Sequence, residues 1–175
     1  MPSTEIILHG TALSGHTHRV ELLLRALGLP HRLEPAPADV RQGAAFRSLN
    51  PLGQIPVLQD GEVALADSNA IMVYLARRYA GDTWLPADPA AMAEVVQWLS
   101  TAANEVQNGP GAARLVDKFG YALDKADTLR RAARILPLID AHLATRDWLA
   151  LDRPTIADCA VFPYVALAPE GGVAL

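Results

Sequence analysis

The sequence predicts an α/β half followed by an all-helical half. Three observations predict it. Up to about residue 80, short apolar runs alternate with stretches of helical period. Two apolar runs flank Asp60-Gly61, a strong local hairpin signal. From Pro86 to the end, no stretch reads as a convincing strand.

The elements follow in order. Glu5-Ile6-Ile7-Leu8-His9 reads as a strand that ends at Gly10, and Thr11-Ala12-Leu13-Ser14-Gly15 as a loop. Val20, Leu23, Leu24 and Leu27 recur at i, i+3, i+4 and i+7, one apolar helix face. Gly28 is the natural stop, and Pro30 blocks continuation. His31-Arg32-Leu33-Glu34 alternates as a second strand, which completes a strand–helix–strand unit, the usual seed of a parallel pair. Residues 35–50 are less regular, broken by Pro35 and Pro37, and supply the second helix of the plan. Pro56-Val57-Leu58-Gln59 and Glu62-Val63-Ala64-Leu65 pair across the Asp60-Gly61 turn. Asp67-Ser68 opens a helix that carries Ile71, Tyr74 and Leu75 to about Tyr79. The order β-α-β-α-β-β-α over residues 1–80 is that of a thioredoxin-like domain.

Residues 81–88 read as a linker and 89–175 as an all-helical C-terminal domain. One helical pattern runs from Pro89 to about Phe119, interrupted near Asn108-Gly109-Pro110-Gly111. A second spans about Asp124 to Ala144, where Pro137 is expected to kink it or remove a hydrogen bond. A third begins at Thr155, since Thr155-Ile156-Ala157-Asp158 has the form of a capping box.

Composition narrows the function classes. The chain is 51% apolar and 19% charged, enough apolar surface for a core and too much for wholesale disorder. Its 15 basic and 19 acidic residues give a net charge of −4, so it is not a generic binder of nucleic-acid backbones, which needs clustered Lys and Arg. The single cysteine, Cys159, excludes an intrachain disulfide. No apolar run is long enough to span a membrane. The start, Met1-Pro2-Ser3-Thr4-Glu5, lacks a basic stretch and apolar core, so no secretory leader and a cytoplasmic location are expected.

Three runs carry chemistry. In Gln54-Ile55-Pro56-Val57, a cis peptide before Pro56 would leave the Ile55 backbone groups open to an extended peptide laid alongside. A plain proline-bounded turn is the alternative. In Ala66-Asp67-Ser68-Asn69-Ala70-Ile71, a helix start favours a carboxylate ligand. Ser68 adds a hydroxyl donor there, and Asp67 an acceptor for an ammonium group. The same residues also read as a cap for their own helix. In Ser14-Gly15-His16-Thr17-His18-Arg19, a hydroxyl at a helix start can donate to an anion; read by itself, the run is a serine cap.

Together with the domain plan and the Thr155-Ile156-Ala157-Asp158 capping motif, these runs resemble the glutathione transferase family over nearly the whole chain. Ser14-Gly15-His16 followed by Arg19-Val20 resembles the serine-type loop of bacterial, theta-like members. The resemblance implies a thiolate of glutathione, stabilised by the Ser14 hydroxyl, that attacks a hydrophobic electrophile in a detoxifying transfer. It implies that the Ile55 backbone beside cis-Pro56 pairs with the cysteinyl part, with Gln54 assisting. Ser68 and the helix-start amides, Asn69 among them, would hold the γ-glutamyl carboxylate, with Asp67 near the ammonium. Arg41 or Gln42 would hold the glycine carboxylate, and His16 is a candidate further donor. The resemblance implies a homodimer, glutathione as co-substrate and no metal. Family members run further than Leu175, so a shortened C-terminal domain is expected.

Other residues read more plainly. His16 and His18 diverge on a helix and chelate poorly. Cys159 falls on an apolar helix face and reads as core rather than nucleophile. Trp98, Leu99 and Ala102 fit a hydrophobic pocket, interhelical core or dimer contacts alike. Arg130, Arg131 and Arg134 form a basic face that reads as solvated or paired. A non-catalytic ligand-binding or partner-docking protein on the same fold is the alternative to a transferase.

Overall fold

The computed structural model describes residues 5–175. The residues before Glu5, on which the expected absence of a leader rests, lie outside the described residues. The chain divides into two compact units, the second being Thr83–Leu175.

The first unit is a four-stranded sheet with helices. Its strands are β1 (Ile6–Gly10), β2 (His31–Pro35), β3 (Val57–Asp60) and β4 (Val63–Ala66), in the order β2-β1-β3-β4. β1 runs parallel to β2 and antiparallel to β3, and β3 is antiparallel to β4. Side chains alternate between faces. His9 and Val57, paired in register, face the side where Phe46 packs. Leu8 and Leu58, the next pair, face the opposite way and are fully buried. On that side lie α1 (Gly15–Ala26) and α4 (Ser68–Tyr79), which pack on each other. Val20, Leu23, Leu24, Ile71, Met72 and Leu75 are buried there. α1 ends as its glycine predicts. Gly28 takes φ 64°, and the amides of Gly28 and Leu29 return to Arg25 O and Leu24 O.

Residues 35–50 hold two short helices rather than one, α2 (Ala38–Gln42) and α3 (Ala44–Leu49). Gly43 separates them, its amide turned back to Val40 O. The hairpin loop is also one residue later than expected. Asp60 pairs with Val63, so the loop is Gly61-Glu62, with Gly61 at φ 59°. Asp60 is kept in the strand by its carboxylate, which accepts from the hydroxyls of Tyr74 (2.8 Å) and Tyr79 on α4. Burial, aided by the Asp60 bond, pushes the Tyr74 hydroxyl up to about 12.

In the second unit, α5 (Pro89–Thr101) leads into a wide π-helical segment, Ala102–Gly111, and then α6 (Ala112–Phe119). The expected interruption sits at Gly109, whose φ −94°, ψ −105° leave the helical region. A Cβ there would stand 3.0 Å from the Ala132 amide nitrogen of α7 (Lys125–Leu143), so the glycine permits close helix contact. α7 runs through Pro137 unbroken. Pro137 and Ala133, whose carbonyl loses its partner, are both exposed, so water can take that bond. α8 (Ile156–Ala166) starts with both halves of the capping box formed, including Thr155 N–H to Asp158 Oδ2 at 2.8 Å.

A 3-10 turn, Ala168–Gly171, closes on α6. Glu170 accepts from Lys118 (2.8 Å) and from the buried Arg114 (2.6 Å). These two cations, Lys118 foremost, hold its carboxyl below the usual carboxylate range. A depressed folded-state value stabilises the fold above the ordinary carboxylate range and is lost as pH falls through it. Thermal melts should therefore separate wild type from Glu170→Gln at neutral pH and bring them together in acid. A gap that widens in acid would contradict this assignment.

Trp98 is half-buried against the His142 ring, while Leu99 and Ala102 are buried core. Asp127 pairs with Arg130 and Arg131, and Arg134 approaches Glu105 at 4.0 Å, so the basic face is paired. Burial pushes the Cys159 thiol up to about 12, which suits a core residue. A thiol reagent at neutral pH should label Cys159 only as fast as the protein unfolds; rapid labelling of the native protein is the opposing result.

Candidate active site

The strand directions bring the predicted segments to one edge of the sheet. β1 and β4 both end there, and β3 begins there, because Gly10, Val57 and Ala66 lie at the same end of the register. Pro35, paired with Gly10, ends β2 at the same edge and leads to α2. The edge thus gathers Ser14 after β1, Arg41 and Gln42 after β2, Gln54-Ile55-Pro56 before β3, and Asp67-Ser68-Asn69 after β4.

Ser14 caps α1. Its Oγ accepts from the Thr17 amide at 3.2 Å, which leaves the hydroxyl hydrogen able to donate outward. Beneath it, Gly10 lets the chain close on Thr17, since a Cβ there would lie 2.4 Å from the buried Thr17 Oγ1. Asp67 caps α4, with Oδ1 accepting from the Asn69 and Ala70 amides at 2.9 Å each. Its backbone sits at φ 73°, a region that a residue with a side chain enters at a cost of about 1–3 kcal/mol. Ser68, next in the chain, is buried at 3% exposure while Asp67 is exposed.

The two helix starts touch. His16 Nδ1 lies 3.2 Å from Ser68 Oγ, and Arg19 Nη1 lies 3.1 Å from the same nitrogen. A guanidinium only donates, so Nδ1 accepts and the neutral ring carries its proton on Nε2. His16 therefore belongs beside Ser68, bridging α1 to α4.

The Ile55–Pro56 peptide is cis, and sheet pairing begins at Val57, so Ile55 stands outside the ladder. Its side chain packs against Ala36, Phe46 and Val57. Gln54 is exposed, and its carbonyl accepts from the buried Asn50 side chain at 2.8 Å. Asn50 Oδ1 also takes the Leu52 amide at 3.1 Å, so one asparagine shapes the loop. Arg41 is half-buried, its Nε enclosed with no hydrogen-bond partner among the described residues, and Gln42 is exposed.

Two residues escaped the sequence reading. Asn50 gave no signal beyond its place in the motif. Arg19 did give one, since a cation on the apolar stripe of Val20 and Leu23 calls for a buried polar partner.

The description "Glutathione S-transferase, N-terminal domain" matches residues 13–78, and "Glutathione S-transferase, C-terminal domain" matches 124–168. Glutathione S-transferase 3 of Zea mays is 37% identical, over 92% of this chain and 78% of its own. Glutathione S-transferase GstB of Escherichia coli K12 is 29% identical, over 91% and 81%. Among solved structures, a glutathione S-transferase from Pseudomonas fluorescens Pf-5 superposes with a TM-score of 0.90 at 27% identity, covering 98% of this chain and 88% of that one. A glutathione transferase from Pseudomonas putida, with one glutathione disulfide bound per subunit, gives 0.83 at 25%, covering 94% and 75%. With both domain descriptions matched in order on a thioredoxin-like sheet and a helical unit, the chain belongs to the glutathione S-transferase family.

Proposed function

We propose that this transferase binds glutathione along the sheet edge and ionises its thiol against the Ser14 hydroxyl. The thiolate then attacks a hydrophobic electrophile. The observation that carries the reading is the meeting, through His16 and Ser68, of two capped helix starts, α1 capped by Ser14 and α4 capped by Asp67, beside an Ile55 backbone outside the ladder. Each helix start offers partial positive charge to an anion. The Ile55 backbone takes the cysteinyl backbone in strand fashion. Ser68 donates to the γ-glutamyl carboxylate, with Asn69 beside it, and the exposed Asp67 carboxylate faces the ammonium. Since Oδ1 of Asp67 already holds two first-turn amides, the Ser68 hydroxyl is the telling donor there. Gln54 flanks the cysteinyl part. Arg41, enclosed and unsatisfied at Nε, suits the glycine carboxylate better than the exposed Gln42.

A thiol of pKa about 8.5 is only about 3% ionised at pH 7. Lowering the value to about 6.5 makes thiolate the majority form and takes about 2.7 kcal/mol of differential stabilisation. One hydroxyl bond to an anion supplies roughly half or more, and the α1 start contributes the rest. The thiol proton leaves to solvent, an S–C bond forms, and the leaving group departs with the electron pair of its broken bond. Ser14 forms no covalent bond.

The test is a pH titration of the bound thiol by ultraviolet absorbance. Thiolate appearing well below pH 8 supports the reading; binding without that shift favours a ligand-binding role, and no binding overturns both. Arg41→Ala should raise the KM for glutathione about tenfold with kcat nearly kept. If Gln42→Ala has the larger effect, the assignment between the two is reversed. The reading includes a homodimer, so light scattering should give twice the chain mass, and a monomer at micromolar concentration would refute that part.

A further inference from the structure

Arg19 is the bulkiest of the fully buried side chains, at 1% exposure. Its Nη1 lies 3.1 Å from His16 Nδ1 and 3.5 Å, the outer limit of a hydrogen bond, from Ser68 Oγ. Ser68 Oγ is itself 3.2 Å from the same His16 Nδ1. A neutral imidazole nitrogen offers one lone pair in the ring plane. Two hydrogens therefore compete for it, one on the Arg19 guanidinium and one on the Ser68 hydroxyl. A charged donor makes a hydrogen bond about twice as strong as a neutral one, so the guanidinium takes the lone pair. Ser68 then accepts weakly from Arg19, and its own proton is left to point at an anion at the α4 start. Without the guanidinium, the Ser68 proton would close onto His16 and be lost to any ligand.

We infer that Arg19 is a positioning residue that keeps the Ser68 hydroxyl a donor toward the γ-glutamyl carboxylate without itself touching the ligand. The inference rests on the glutathione reading above. The buried cation also adds to the positive end of α4, while its effect on the Ser68 hydroxyl acts on the carboxylate seated there. The hydroxyl effect is local to the α4 start, whereas the thiol lies at the α1 start beside Ser14.

The experiment compares two ligands by calorimetry on the whole protein. One is glutathione. The other is 4-aminobutyryl-cysteinylglycine, which lacks only the γ-glutamyl α-carboxylate. Arg19→Met should weaken glutathione about tenfold or more and the analogue by less than about twofold. Arg19→Lys, which keeps the charge, should restore most of the loss. Arg19→Gln keeps an N–H donor without the charge, and should show a smaller loss that is still selective for glutathione; it also serves if the methionine variant does not fold. Equal weakening of both ligands would mean that Arg19 only holds α1 against α4, and the inference falls. Wild type binding both ligands equally removes the carboxylate role of Ser68 and the inference with it. Wild type binding neither ligand overturns the glutathione reading itself.

Discussion

Ser14→Ala should lower kcat/KM for glutathione conjugation by about 10- to 100-fold, the worth of one hydrogen bond to a charged group. The pH at which the bound thiol ionises should rise in step. Stability will move as well, because Ser14 Oγ also holds the Thr17 amide. Losing such a cap costs about 1 kcal/mol. The two effects separate with other variants. Ser14→Thr keeps both hydroxyl and cap, and should retain most activity. Ser14→Asp keeps the cap but sets a negative charge against the thiolate, so it should melt like wild type and lose activity further. If Ser14→Ala conjugates glutathione at the wild-type rate, the hydroxyl has no part in ionising the thiol.

Gly171→Ala should unfold the second unit more easily than any other single methyl added at a glycine there. The new Cβ would lie 2.5 Å from Arg114 N, 2.7 Å from Ala113 C and 2.9 Å from Arg114 Cα. All three are backbone atoms of α6 and cannot swing aside. The 3-10 turn must lift, which strains the Glu170–Arg114 pair and the Lys125 Nζ bond to Gly171 O, each 2.6 Å. Overpacking plus these losses amounts to about 2–4 kcal/mol, a fall in Tm of roughly 4–16 °C for a chain this size. Gly120→Ala is the control. Gly120 takes φ 68° with nothing within 4 Å of an added Cβ, so only the backbone cost remains, about 1 kcal/mol. Equal melting of the two variants would mean that the contact with α6 relaxes at no cost.

The parts of the fold that the sequence made legible are those where the signal is local. The apolar face of α1, the Gly28 stop and the capping box at Thr155 each depend on a few consecutive residues, and each is found as read. What escaped was set by contacts that no sequence period carries. Asp60 belongs to β3 rather than the loop because Tyr74 and Tyr79, well along the chain, hold its carboxylate. Two helices fit into residues 35–50 because Gly43 turns its amide back, which no period reveals. At Pro137 the second of the two expected outcomes holds: α7 continues with one hydrogen bond lost, and the orphaned carbonyl faces water. In the candidate site, Ser14, Ser68 and Ile55-Pro56 were legible as motifs, whereas the His16–Arg19–Ser68 cluster needed the approach of α4 to α1.

The strand directions that collect Ser14, Arg41, Pro56 and Asp67 at one edge send three other connections of the first unit to the far edge. The turn after α1 at Gly28, the hairpin loop at Gly61 and the end of α4 near Gly81 all lie there, each glycine with positive φ. An added Cβ at Gly28 or Gly81 meets nothing within 4 Å. Insertions, reporter dyes or a fused sequence at Gly28 and Gly61 would therefore sit about a strand length from the edge that holds the candidate site. Chain length can be altered on that side without changing the spacing of the loops that form the candidate site. The sheet works as a spacer, with tolerant turns at one rim and the candidate site at the other.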